Sequence, residues 1–406
     1  MAAEVLATAG IDVTVFEHMP SVGRKLLLAG RGGLNITHTE TVDSLLDRYG
    51  PARDRLAPSI RAFGPDQLRV WCTGLGETPF TGTSGRVFPS GFRATPLLRA
   101  WLERLEDLGV DIRARHSWTG WSDQTAGVET ADRLTFTGPD GRPVDFDADA
   151  TVLAMGGASW PRVGSDGAWV ERLRTRDVEV VPLRPSNCGF DVRWTEHFLG
   201  RFSGTPLKNV RLGHRGMWSR GEAMITEQGI EGGAVYALSA PLRDAIEEQG
   251  DTVLSIDLHP DLTSAALRSR LLRRRVKDSA STALRRCGVS PVGIGLLREA
   301  TRNHIPDDSG ALSALIKAVP IRLTAAQSLD RAISTAGGVS FDEVDDALML
   351  LRRPGTFLAG EMLDWEAPTG GYLLQATFST AVTAALGVMA WLGAEEPGSA
   401  VLAAGR

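Results

Sequence analysis

Gly23-Arg24-Lys25-Leu26-Leu27-Leu28-Ala29-Gly30-Arg31-Gly32-Gly33-Leu34-Asn35-Ile36-Thr37-His38 is the stretch whose reading decides the fold of this 406-residue chain. It follows a β-branched run, Val13-Thr14-Val15-Phe16, that closes on Glu17. Gly30, Gly32 and Gly33 are costly inside a helix or strand, because glycine loses the most backbone freedom on ordering. They suit a place where backbone comes close to a bulky ligand. Arg24, Lys25 and Arg31 add three cations beside that backbone, and cations with bare N–H groups favour a phosphate-bearing ligand. An acid at the end of the preceding strand is the usual partner of a ribose hydroxyl in dinucleotide folds, which makes Glu17 a candidate. A solvated glycine-rich surface loop is the alternative.

Composition limits the classes open to the chain. At 406 residues it is too long for one ordinary core, so two or three domains are expected. It is 43% hydrophobic and 23% charged, as soluble globular proteins are, and its net charge of −5 leaves any polyanion-binding surface local. Cys72, Cys188 and Cys287 are widely separated and form no Cys/His cluster. That spacing argues against a disulfide framework or a metal site and fits a reducing cytoplasm. The uncharged stretch 367–394 is rich in Ala, Thr, Ser and Gly and is read as a buried loop and helix, with no membrane expected.

Along the chain, residues 1–9 read as a helix ended by Gly10, and 11–16 as a strand. A βαβ unit places a strand and a Gly-x-Gly-x-x-Gly turn before such a helix. Neither is in this sequence, so an earlier start is expected. Residues 77–89 read as a hairpin, 95–108 as a helix with Pro96 at its start, and 110–121, 127–137 and 144–146 as strands. Residues 149–155 form a buried strand, and Gly164-Ser165-Asp166-Gly167 caps a helix. The character changes near Pro182 to Pro185. Residues 186–260 give short strands, 262–318 turn helical, and glycine-punctuated sequence resumes at Ser334. The organisation is therefore 1–185 and 333–406 as two parts of one nucleotide-binding domain. Between them lies an insert, β-rich over 186–261 and 319–332 and helical over 262–318.

Three further stretches agree with the first. They are Leu153-Ala154-Met155-Gly156-Gly157-Ala158-Ser159-Trp160-Pro161, Thr335-Ala336-Gly337-Gly338-Val339, and Phe357-Leu358-Ala359-Gly360-Glu361-Met362-Leu363-Asp364 with Pro368-Thr369-Gly370-Gly371-Tyr372. In order and spacing the chain resembles the HI0933-like (YhiN-type) flavoproteins, related to the aminoacetone oxidase group, in a branch whose loop reads Gly-Gly-Leu-Asn-Ile/Leu-Thr-His. The resemblance implies an α/β, glutathione-reductase-like, Rossmann-type FAD-binding domain split by an insert. It implies an FAD-dependent oxidoreductase of open substrate, with NAD(P)H as an optional transient donor.

Carried over by position, Glu17 holds the adenosine ribose. Arg24, Lys25, Gly30, Gly32, Gly33 and Asn35 wrap the pyrophosphate and approach the isoalloxazine. Trp118 meets adenine through its backbone. Ala154, Gly156 and Gly157 run beneath the nucleotide with Trp160 nearby. Glu361, after Gly360, takes a ribityl hydroxyl and is supported by Asp364. Gly370, Gly371 and Tyr372 open the last helix under the pyrimidine ring, where a helix N-terminus favours the negative charge of reduced flavin. The common family loop reads Gly-Gly-Gly-Arg-Cys-Asn; Arg31, Gly33 and Leu34 depart from it.

Four residues are candidates for catalysis: His38, Glu222, Glu231 and Tyr236, as acid/base or substrate-orienting groups. A loop-capping histidine and solvated hairpin carboxylates are the alternatives. From Leu262 to Arg302, ten cations (Arg268, Arg270, Arg273, Arg274, Arg275, Lys277, Arg285, Arg286, Arg298, Arg302) face only Asp278 and Glu299. Such a segment suits RNA or an acidic partner, although no aromatics interleave to stack bases. Two other readings stay open: reduction of an RNA base, and a non-catalytic homologue without FAD.

Overall fold

The structure, a computed structural model, describes all residues except 123–131, 274–277 and 396–406. It divides into two compact units, Met1–Arg184 with Ser334–Arg406, and Pro185–Ile333.

In the first unit, helix Ala2–Thr8 buries Glu4, Val5 and Leu6 and is followed by Gly10 at φ +79°. Strand Thr14–Glu17 pairs in parallel with Asp111–Ala114, and Thr151–Leu153 with Thr356–Leu358. Parallel pairs need long crossovers, and parallel strands among helices are the α/β, Rossmann-type arrangement that the resemblance implied. The antiparallel strands Ser117–Trp121, Asp132–Thr137 and Pro143–Ala148 form a three-stranded sheet. A small sheet joins Thr37–His38, Arg86–Phe88 and Phe80–Thr81.

Helix Tyr372–Leu392 runs through the core of this unit. It carries no charge and packs Phe378, Val382, Ala384, Ala385 and Met389 against Val5, Leu6, Trp71 and Phe357. Burial on most sides explains why its hydrophobicity is not confined to one stripe. By length and composition it could also cross a bilayer, with a mean hydropathy of 1.5, but 61% of that window is buried in the fold.

The second unit is built on a sheet with strand order Val319–Leu323, Thr252–Asp257, Pro206–His214, Met217–Ile225, Gly229–Glu231, Phe190–Asp191 and Ala325–Ala326. Helices Ser264–Leu271, Ala280–Arg286, Pro291–Ala300 and Ser309–Lys317 follow in the stretch read as helical.

Four local expectations need correction. Residues 186–260 are not strands alone: Glu196–Phe202 and Ser239–Gln249 are helices. The second has Leu242, Ala245 and Ile246 at helical spacing, a pattern obscured by the glycines flanking it. Gly164 to Gly167 do not cap a helix; Asp166 Oδ1 accepts the Ala168 N–H at 3.0 Å in a local turn, and the helix begins at Val170. Pro96 is the third residue of helix Ala94–Asp107 rather than its first. The strand expected over 127–137 is described from Asp132 onward, its earlier part lying outside the described residues.

Candidate functional site

The first unit brings four separate segments to one polar hub. Lys25, in the first turn of helix Arg24–Ala29, directs its ammonium at three acceptors: Ser159 Oγ at 2.8 Å, Ser165 Oγ at 3.1 Å and Glu361 Oε2 at 2.7 Å. Glu361 Oε2 also accepts the Gly157 N–H at 3.2 Å, while Oε1 accepts the Thr335 N–H at 2.8 Å. Thr335 Oγ1 in turn accepts the Ala158 N–H at 2.9 Å. Ser159 and Ser165 are buried, and the ion pair is mostly so, which strengthens its attraction relative to a surface pair. All three Lys25 N–H groups have partners in this structure, and through them Lys25 anchors Glu361.

Gly157 is required here for space. A Cβ at this position would lie 2.2 Å from Thr335 Oγ1. Gly371 is required for both space and conformation: φ is +95°, and a Cβ would lie 2.6 Å from the Thr37 backbone. Gly371→Ala should therefore destabilise this unit by about 2 kcal/mol. Thermal unfolding would show this as a melting point lower by roughly 4–8 °C.

Gly371 also caps the 21-residue final helix, with no side-chain cap over its first N–H groups. Tyr372 follows. Its ring stacks on His38 at 5.4 Å, its hydroxyl donates to Glu40 Oε2 at 3.1 Å, and its carbonyl accepts the Tyr49 hydroxyl at 2.8 Å. Burial first, then the Glu40 charge, push the Tyr372 phenol up to about 12, so it stays protonated at neutral pH. Burial pushes the Glu40 carboxyl up, but hydrogen bonds from Arg48 and Tyr372 outweigh it and hold the pKa below the ordinary value.

His38 Nδ1 accepts the Glu40 N–H at 3.2 Å, and Nε2 lies 3.0 Å from the Ser84 carbonyl oxygen. A carbonyl only accepts, so the proton is assigned to Nε2. Both nitrogens are engaged, and His38 ties the loop together.

Glu17 Oε1 accepts the Met19 N–H at 2.8 Å, leaving Oε2 without a partner among the described residues. Asn35 Oδ1 in the glycine loop is buried with no hydrogen-bond partner, as is Trp118 Nε1 in the antiparallel strand Ser117–Trp121. Trp160 is 37% exposed and holds φ +63°, an unusual backbone state for a bulky residue. Asp364 makes no hydrogen bond to Glu361 among the described residues, so the expected support is absent. Burial raises its pKa, and the Arg184 charge opposes that shift. Gly360 holds φ +73° at the start of the turn carrying Glu361.

The sequence matches the family described as HI0933-like protein Rossmann domain over residues 1–387. The chain belongs to the HI0933-like family. Membership carries the fold and class expected above: a Rossmann-type flavoprotein fold and an FAD-dependent oxidoreductase. Among curated relatives, this HI0933-like chain is 25% identical to a 3-dehydro-bile acid delta(4,6)-reductase of Clostridium scindens, over 91% of this chain and 90% of that protein. It is 22% identical to a ribosomal RNA dihydrouridine synthase of Haemophilus influenzae, over 94% of each. Among solved structures, it is similar to the 3-ketosteroid-delta4-(5alpha)-dehydrogenase of Rhodococcus jostii RHA1, with 14% identity and a TM-score of 0.49 over 96% of this chain and 94% of that one.

The HI0933-like first unit fits the flavin nucleotide on its own chemistry. Asn35 Oδ1 offers an unused acceptor, Glu17 Oε2 a free carboxylate oxygen, and the final helix its open N–H groups. A Cβ at Gly32 would meet nothing within 4 Å, and one at Gly156 would meet only Ser165 Oγ at 3.6 Å and Glu361 Oε2 at 3.9 Å.

Glu222, Glu231 and Tyr236 belong to the second unit. Glu222 lies in strand Met217–Ile225, Glu231 ends strand Gly229–Glu231, and Tyr236 ends the short helix after it. Burial first, then the Glu231 charge, push Tyr236 up to about 12. Of the basic insert residues, Arg286 pairs with Asp278, and Arg298 donates to Asn303 Oδ1 and Ser281 Oγ. Arg274, Arg275 and Lys277 lie outside the described residues.

Sequence reasoning missed the buried serines 159 and 165 and the acceptor role of Thr335. Isolated hydroxyl residues carry no spacing signal. It also missed Gln375, which donates to the Phe63 carbonyl at 2.9 Å and accepts from Thr37 Oγ1 at 2.6 Å.

Proposed function

We propose that this protein uses FAD to reduce a carbon–carbon double bond conjugated with a carbonyl, with NAD(P)H as transient electron donor. The observation that carries the reading is the joining of Lys25, Gly157, Thr335 and Glu361 in one hub. It holds rigid the walls on which a flavin nucleotide would rest. The names of both curated relatives describe adding hydrogen across such a bond, which supports the substrate class.

When bound, FAD supplies the two-electron step. The chain's own groups do the rest. Glu361, fixed by Lys25, would take a ribityl hydroxyl, and Glu17 Oε2 would accept from a ribose hydroxyl. The open N–H groups after Gly371 would favour negative charge beside the helix N-terminus. In the second unit, Tyr236 keeps its proton at neutral pH, because burial and then the Glu231 charge push its phenol up to about 12. A cytoplasmic setting is part of the same proposal and rests on three buried free thiols.

The test is to reduce the protein anaerobically and mix it with a cyclic conjugated enone or the corresponding saturated ketone. Reoxidation of the flavin by the enone alone is expected. Reoxidation only by oxygen would overturn the substrate class.

A second reading places the double bond in a uracil ring of RNA. It is favoured by the exposed Arg270, Arg273, Arg285 and Arg302 of the insert. Removing those charges should then abolish RNA binding.

A further inference from the structure

Beside the glycine loop, three phenylalanines form an exposed ladder. Phe80 and Phe88 are directly opposed across the antiparallel strands, with ring centres 5.7 Å apart and planes at 27°. Phe92 adds a third ring, 5.0 Å from Phe88 and 6.3 Å from Phe80. Phe80 and Phe92 are each 44% exposed. Single exposed apolar side chains need no explanation, but a contiguous aromatic patch does.

Phe92 is also held in a costly backbone state, φ +58°. Two backbone bonds fix it there: its N–H donates to the Pro89 carbonyl at 2.8 Å, and its carbonyl accepts the Leu34 N–H at 2.9 Å. The ring lies against Gly33, where a Cβ would fall 2.4 Å from its Cζ. The ladder is thus locked to the loop that begins the flavin reading.

Charge identifies the ligand. Arg31, Arg86 and Arg93 are exposed in the segments that carry the ladder and the glycine loop, and none of their side chains forms an ion pair or hydrogen bond among the described residues. Arg86 shares a strand face with Phe88, two residues on. The acid of this loop, Glu77, is engaged by the Ser90 hydroxyl at 2.6 Å and the Gly91 N–H at 2.8 Å. Stacked aromatic faces ringed by free guanidinium groups suit a planar heteroaromatic base that carries phosphate.

We propose that the Phe80–Phe88–Phe92 ladder with Arg31, Arg86 and Arg93 is the docking platform of the nicotinamide dinucleotide donor, its base stacked on the rings and its phosphates on the arginines. The identity of the occupant as the donor rests on the function proposed above; the base-plus-phosphate chemistry does not.

The test titrates the full chain with NADH, NADPH and a short single-stranded oligouridine RNA, in wild type, Phe80→Ser and the double variant Arg86→Gln/Arg93→Gln. All three positions are exposed, and the Arg variant keeps the aromatic packing should Phe80→Ser misfold. Each variant is expected to weaken binding of one dinucleotide about tenfold while the flavin absorbance is kept. The Arg variant should also flatten the salt dependence of that binding. Unchanged dinucleotide affinity in both variants would overturn the proposal. So would loss of oligouridine binding with no dinucleotide binding in wild type, which would make the ladder an RNA surface. Failure of the flavin reading shows separately, as absent flavin absorbance with dinucleotide binding intact.

Discussion

Replacing Lys25 with methionine is expected to cost the first unit about 3 kcal/mol and to abolish stable flavin retention. The ammonium is the only cation bonded to Glu361 among the described residues, and it also ties down Ser159 and Ser165. Methionine keeps the length of the stem and removes the charge, so the mostly buried Glu361 carboxylate loses its partner. Breaking such a pair by removing one member is costly, because the remaining charge stays desolvated. The side chains are 30% and 15% exposed, which places the effect at the low end of the buried range. Lys25→Arg, which keeps the charge, should lose less. The melting point should fall by roughly 6–12 °C in the methionine variant. Glu361→Gln combined with Lys25→Met should recover part of the loss, since no unpaired charge remains. Additive losses in the double variant would mean that the two side chains are not coupled.

Glu4→Leu is expected to have an effect at least as large, about 4 kcal/mol, though it lies in no proposed ligand contact. Glu4 is 5% exposed. Its Oε2 accepts the Trp71 and Trp101 indole N–H groups at 2.9 and 2.7 Å, and its Oε1 accepts Arg104 Nη1 at 2.9 Å. Leucine would leave two indole donors without partners and a mostly buried guanidinium without its counter-charge. Glu4→Gln keeps the shape and one acceptor oxygen, but turns an NH₂ donor toward other donors. It should therefore be intermediate. Thermal unfolding of the three proteins checks the order; equal melting points for Leu and wild type would contradict it.

The fold class was legible through the resemblance to the HI0933-like flavoproteins, and the nucleotide-binding signals beside it are local. Three glycines in four positions, a β-branched run closing on Glu17, and a long uncharged stretch at the end each read without knowledge of distant residues. The hub was not legible in this way. Lys25 and Glu361 are 336 residues apart, and nothing near Lys25 indicates that its partner is a carboxylate rather than a phosphate. Glu4 illustrates the same limit. Its helix read correctly from Val5 and Leu6, but an acid in a first helical turn ordinarily satisfies helix N–H groups. Only the fold brings two tryptophans and an arginine around it. Two rings of the phenylalanine ladder, Phe80 and Phe88, fell within the stretch 77–89 read as a hairpin, while the third, Phe92, lies beyond it and packs against Gly33, a contact between segments about 60 residues apart in sequence.

The most direct test of the central claim is titration of the purified protein with FAD, followed by flavin fluorescence and visible absorbance, alongside Lys25→Met and Glu361→Gln. Saturable binding of one FAD per chain, with a shifted flavin spectrum that both variants lose or weaken by at least tenfold, is the expected result. Failure of the folded wild-type protein to bind FAD, or binding that both variants leave unchanged, would contradict it.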